Sequence, residues 1–246
     1  MRVPDHLLLR AEWGGRVDPL ETQIAMVWNC FQRFAKHGEF FSGSWFSLRP
    51  PRGAPVPDFA ALEADMTDTW NNDDSYGYSF AQNTLRSYVA SPGVHDMSVN
   101  IANPEGWDTM AGNSVVASFE VDDNVRKAHP LPVKWLLEIG VDLVKDFVDV
   151  WKPDVVSLDS LELLELMPEE GAYPTVGYFS WLSSSVVGLD ALPAAPVREP
   201  YKNGMLLGIH PYSRNPIHDA TKLAKPIYAS GILGLIPFVQ GRPNPQ

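Results

Sequence analysis

Three pairs of adjacent carboxylates, Asp73-Asp74, Asp122-Asp123 and Glu169-Glu170, are the residues whose type first suggests chemistry. Two carboxyl groups facing each other across roughly 5–10 Å can divide acid and base work on a glycosidic bond. Sequence neighbours on one turn rarely reach that geometry, so each pair reads as solvated turn residues or helix caps. A carboxylate-dependent hydrolase acting on a glycan therefore stands as the alternative, and it requires two acids from separate elements in one concave pocket.

Other chemistry finds less support. Pro153-Asp154 resembles the start of a restriction-endonuclease core, in which an Asp precedes an acid, one spacer and a Lys. Here Glu162 and Glu165 lead two residues later to Leu164 and Met167, and no lysine occurs between Lys152 and Lys202. The group that would steady an attacking hydroxide is missing. The six histidines are scattered, and His210 with His218 and Asp219 fits no common metal-ligand spacing. Phosphate-loop, dinucleotide-turn, H-E-x-x-H and G-x-S-x-G patterns are absent. Neither a cofactor nor a metal is implied. Cys30 is the single cysteine, which excludes an intrachain disulfide. In Val27-Trp28-Asn29-Cys30-Phe31 it reads as a small buried hydrophobe.

What remains is charge. Twelve acidic residues and one basic residue, Arg86, lie between Arg52 and Arg126, while the rest of the chain holds eighteen of each sign. That one stretch carries the whole net charge of −11. Such a field repels nucleic acid and anionic membranes as direct ligands and suits a positively charged protein. The stretch also carries Trp70 beside Asp73 and Asp74, Trp107 between Glu105 and Asp108, and the Asp122-Asp123 pair. Aromatics within an acidic rim match an interface anchor, so these eight are the partner-binding candidates. An inward, core-packing role fits each Trp equally.

The elements that must position these groups follow from periodicity. Residues 6–13 read as an opening strand. Asp18 and Pro19 read as N-cap and first residue of a helix whose stripe is Leu20, Ile24, Val27, Trp28, Phe31 and Phe34, closed by Gly38. A strand is expected near 40–48, a Pro-rich loop over 49–57, a helix from Asp58 to about Trp70, and strands over 76–80, 97–101 and 114–121, the last two antiparallel. One long helix is expected over 133–151, with Leu136, Ile139, Leu143, Val144, Phe147 and Trp151 on one face and Glu138, Asp142, Lys145, Asp146 and Asp149 on the other. Pro153 ends it. Strands over 155–158, 176–182 and 205–209 and a helix from Pro216 to about Tyr228 complete the chain. This mixture predicts an α+β fold with a mainly antiparallel sheet packed against several helices, as a single domain over 1–246. The N-terminal residues lack an apolar core of signal-peptide length. Ile227–Val239, interrupted by Gly231, Gly234 and Pro237, falls short of a membrane span. A cytoplasmic location is expected.

Three short signals carry a family resemblance. They are Trp13 followed by Gly15-Arg16-Val17-Asp18-Pro19-Leu20-Glu21; Val148-Asp149-Val150-Trp151-Lys152-Pro153-Asp154-Val155; and Pro174-Thr175-Val176-Gly177-Tyr178-Phe179-Ser180-Trp181-Leu182. In order and spacing the chain resembles the immunity protein 52 family of bacterial competition systems, with Tyr178 standing where that family prefers Trp. The resemblance implies a cytoplasmic, non-enzymatic antidote that binds and neutralises a cognate nuclease (DNase) toxin of restriction-endonuclease-like fold, often a type VI secretion effector. An acidic protein suits the basic groove of such a toxin. Trp151 and Trp181 are expected to pack the core; the oligomeric state is not implied.

Overall fold

The computed structural model describes residues 4, 6–14, 18–38, 41, 43–48, 54–72, 77–83, 95–100, 113–120, 133–167, 176–185 and 188–235. In chain order the elements are β1 (His6–Trp13), α1 (Leu20–Ala35), β2 (Ser44–Ser47), β3 (Ala54–Val56), α2 (Phe59–Asn72), β4 (Gly77–Asn83), β5 (His95–Asn100), β6 (Asn113–Glu120), α3 (Val133–Glu138), α4 (Gly140–Trp151), β7 (Val155–Ser160), α5 (Leu161–Leu164), β8 (Phe179–Ser183), β9 (Val197–Tyr201), β10 (Gly204–Gly208) and α6 (Pro216–Ala229). The fold is α+β, as expected. Its strands form one sheet in the order β3-β2-β4-β5-β6-β1-β7-β8-β10-β9. Every described pairing is antiparallel. The outermost strands, β3 and β9, carry Pro55 and Pro200.

β1 is central because its alternation serves two neighbours at once. Leu9 lies opposite Ala117 of β6 and Leu158 of β7, and Ala11 opposite Val115 and Val156. Residues directly opposed in an antiparallel ladder share a face. Leu7, Leu9, Ala11 and Trp13 therefore join Phe119, Val156 and Leu158 on a buried apolar face, over which α4 packs and onto which α1 turns Phe31 and Phe34, against Phe80 and Phe119. The layer between is aromatic. Phe31 stacks on Trp45 at 4.0 Å between centroids, Phe34 on Phe41 at 5.2 Å, and Trp13 on Trp151 at 5.9 Å. Such contacts add about 0.5–1.5 kcal/mol each beyond the area they bury. Trp151 and Trp181 are core residues, as the sequence suggests.

Three expectations are corrected. Asp18 is not the N-cap of α1: Pro19 holds that position in an extended conformation with no side-chain cap, and Gln23 Nε2 donates to the Asp18 backbone carbonyl at 2.7 Å. The helix expected over 133–151 is two helices, with Ile139 between them at φ −93, ψ 0. A Cβ at Gly140 would stand 2.5 Å from the Phe179 ring, so glycine lets the start of α4 press onto β8 where a side chain would hold it off. Strands β3 and β9 and the single-turn α5 were not anticipated. Two of them are short and two contain proline, so none carries a usable periodic signal.

Candidate functional site

Of the eight partner-binding candidates, Trp70 is described. It lies near the end of α2, half-buried and packed against the core, so much of its ring serves the fold. Asp73, Asp74, Glu105, Trp107, Asp108, Asp122 and Asp123 lie outside the described residues. Within the same acidic stretch, α2 is described. Asp58 caps it by accepting the Ala61 N–H at 2.9 Å, and Asp65 accepts from the Ser47 hydroxyl at 3.1 Å. Glu63 and Asp68 are exposed.

Sequence reading missed a polar cluster on the other face of the sheet. β1 alternates, so Arg10 and Glu12 point away from Leu9, Ala11 and Trp13. In register, Arg10 lies opposite Ser157, Glu12 opposite Val155, and Leu8 opposite Asp159. Arg10 thus stands between two carboxylates along one face. Its Nε is 3.7 Å from Asp159 Oδ2, which also accepts from the Ser157 hydroxyl at 3.0 Å. Asp159 is fully buried and Arg10 nearly so, while Glu12 is half-buried. Enough protein surrounds the Glu12 carboxyl to push its pKa up to about 7; desolvation dominates, with Arg10 lowering it and Asp159 raising it. α6 brings Tyr228 close enough for Asp159, Glu12 and Arg10 to act on its hydroxyl, which accepts the Val176 N–H at 3.1 Å. Tyr178 bonds Ser160 at 2.9 Å, and burial pushes its phenol up. The available signal was phase: Arg10 and Glu12 break the apolar pattern of HLLLRAEW on alternate positions, and Asp159 interrupts a fully buried strand.

A second network ties α1 and α4 to the β9–β10 hairpin. Arg33 Nη1 reaches Asp146 Oδ1 at 2.5 Å and Asp149 Oδ2 at 3.1 Å, and His37 Nε2 meets Asp146 Oδ2 at 2.8 Å. From the hairpin, the Tyr201 hydroxyl donates to Asp149 Oδ1 at 3.0 Å and Lys202 Nζ lies 3.2 Å from the same oxygen. Burial alone would raise both carboxyls; for Asp146 the bonds from His37 and Arg33, and for Asp149 those from Tyr201 and Lys202, outweigh it and hold them below their ordinary range. Residues that the sequence places on a solvent face are here half-buried and fully engaged. The arrangement braces three elements together.

No protein-family model matches the sequence, and no curated protein matches it. Among solved structures, the chain is similar to the Pseudomonas aeruginosa T6SS protein PA0821. The TM-score is 0.50 at 15% identity, over 90% of this chain and 72% of that one. The likeness is one of fold.

Other sequence candidates resolve into local structure. The Gly14 N–H donates to Asp154 Oδ2 at 2.7 Å, and Glu162 is buried while Glu165 is exposed. His210 Nδ1 accepts the Tyr212 N–H at 3.1 Å, and Asp219 accepts from Ser213 at 2.6 Å. Among the described residues no three His, Cys, Asp or Glu side chains group as metal ligands, and no helix is long and apolar enough to cross a membrane. Cys30 is buried, and burial pushes its thiol up, which makes it a packing residue.

Proposed function

We propose that this protein is a cytoplasmic, non-enzymatic immunity protein of a type VI secretion system, which binds and neutralises a cognate DNase effector. The observation that carries the reading is a fold shared over 90% of the chain with a T6SS protein. It is supported by the charge distribution, since a stretch with twelve acids and one base suits the basic groove of a DNA-cleaving enzyme. Charge complementarity speeds encounter, and desolvated aromatics slow release. The three motifs behind the family resemblance belong to this reading as scaffold: Trp13, Trp151 and Trp181 are buried in the core.

The test is to mix the purified protein with the nuclease domain encoded beside it and to follow plasmid cleavage and binding against salt. The reading expects stoichiometric loss of cleavage and binding that weakens as salt rises. Asp73→Asn with Asp74→Asn should weaken binding further. Undiminished cleavage in the presence of excess protein would remove the proposal. Among the described residues Glu12, with its raised pKa, is the feature that favours a carboxylate hydrolase. Against it, Arg10 occupies the place between Glu12 and Asp159, where a sugar would have to lie.

A further inference from the structure

We propose that the outer face of α6, with the loop before it, docks a second copy of this chain, which meets it with the outer face of α2. This contact does not depend on the nuclease reading. Its basis is a second asymmetry of charge. Against a net charge of −11, the segment from Lys202 to the C-terminus holds five basic residues and one acidic residue, Asp219. On α6, His218, Lys222 and Lys225 recur at helical spacing, all exposed, and exposed Arg214 lies one turn before them. No ion pair among the described residues involves Arg214, Lys222 or Lys225. Asp219 is half-buried and occupied by the Ser213 hydroxyl at 2.6 Å. The loop adds an aromatic. Tyr212 is 63% exposed, yet its backbone is held: its N–H donates to His210 Nδ1 at 3.1 Å, and the Ser213 N–H donates to the His210 carbonyl at 2.9 Å. A tyrosine beside an arginine on a pre-held loop is the composition of a binding anchor, and little freedom is lost on docking it.

The complement is α2. With its cap Asp58 it carries Glu63, Asp65 and Asp68 and no basic residue. Phe59, Ala60, Glu63, Ala64 and Asp68 are exposed on it. Two alanines and the Phe59 ring make a low apolar shelf for the tyrosine, and the carboxylates beside it suit the cations of α6. Both helices have 14 residues, so faces about 21 Å long can align. They cannot meet within one molecule. α2 packs against α1, in the layer over the Leu9 face of the sheet. α6 lies on the other side, where its Tyr228 is close to Arg10, Glu12 and Asp159. The contact therefore joins unlike surfaces of two copies, head to tail. Each pair keeps one free surface of each kind, so growth runs on into chains. Contacts among exposed charges are weak and screened by salt, which places this association in the transient class, at upper-micromolar concentration.

The test is sedimentation of the purified full chain from about 10 μM to about 1 mM, at low salt and at about 0.5 M salt. The average mass should rise past that of a dimer at low salt and return to the monomer at high salt. Lys222→Glu with Lys225→Glu, and separately Glu63→Lys with Ala64→Lys, should each raise the half-association concentration about tenfold or more. All four positions are exposed, and circular dichroism checks that both variants stay folded. Mixed one to one, the two variants should associate again, because the acidic α6 of one meets the basic α2 of the other. Tyr212→Ala, which leaves every charge in place, should weaken association about tenfold. A wild-type chain that stays monomeric throughout overturns the proposal, and so do charge-reversed variants that associate as wild type does. A mixture that stays monomeric overturns α2 as the surface that α6 receives.

Discussion

Replacing Glu12 with glutamine should change stability in a way that depends on pH, and both the sign and the size follow from the structure. The folded protein holds this carboxyl at a pKa of about 7, against an ordinary value of 4.5. Between those values the folded state keeps a proton that the unfolded chain has released. Stability therefore falls by about 1.4 kcal/mol for each pH unit in that interval. The loss is complete above the folded value and absent below the unfolded one. A span of about 2.5 units sets a ceiling of about 3.5 kcal/mol, and the water that reaches this half-buried group lowers the expectation to about 2 kcal/mol. Glutamine keeps the shape and abolishes the titration. Urea unfolding of both proteins should give nearly equal stabilities near pH 4.5 and a gap of about 2 kcal/mol in favour of Glu12→Gln near pH 8. A gap that is the same at both ends would refute the argument, because only a shifted titration produces a slope. A destabilised variant at pH 8 would refute it more directly, since it would mean that the ionised carboxylate is well satisfied.

Arg33→Ala should cost about 2 kcal/mol at neutral pH, between the values for exposed and buried pairs, because Asp146 and Asp149 both lose their shared partner. Both carboxyls are held low in the folded state, so their contribution is present above the ordinary carboxylate range and lost as pH falls through the folded values. The gap from wild type should thus close below about pH 4, as followed by thermal unfolding. Gly177→Ala would place a Cβ 2.0 Å from the Leu158 carbonyl oxygen, and should cost about 3 kcal/mol or prevent folding. Gly188→Ala, with nothing within 4 Å, should stay within about 0.5 kcal/mol of wild type in the same denaturation assay.

How much of this was legible depends on how local the signal is. β1 could be read to the residue as a strand over 6–13, although Leu8 among the leucines and the buried Arg10 blur its alternation. α1 was visible from its stripe, yet its start was misassigned: Asp18 before Pro19 is the usual cap pattern, but Pro19 takes the cap position and the Asp18 carbonyl instead accepts from the Gln23 side chain. The break at Gly140 left no trace in helical periodicity because its cause is the Phe179 ring, nearly forty residues further on. Asp146 and Asp149 looked like a solvated helix face for the same reason: their partners arrive from α1 and from the β9–β10 hairpin. The Arg10–Glu12–Asp159 row was half legible. Strand phase put Arg10 and Glu12 on one face, and only the pairing of β1 with β7 could bring Asp159 beside them.

The prolines at the two margins of the sheet bear on how such a protein can be recognised. The β9–β10 turn closes on the pair Tyr201 and Gly204, so the next pair, Pro200 with Met205, turns its backbone outward. At that position proline has no N–H to offer, and Pro55 on the opposite marginal strand has none either. A ten-stranded open sheet would otherwise present two templates for annexing a foreign strand. At these two positions the rim has no backbone donor to give to a second copy or to a partner's extended tail. Each such proline weakens recognition through the backbone, which reads every sequence alike, relative to recognition through side chains, where charge and shape can tell one partner from another.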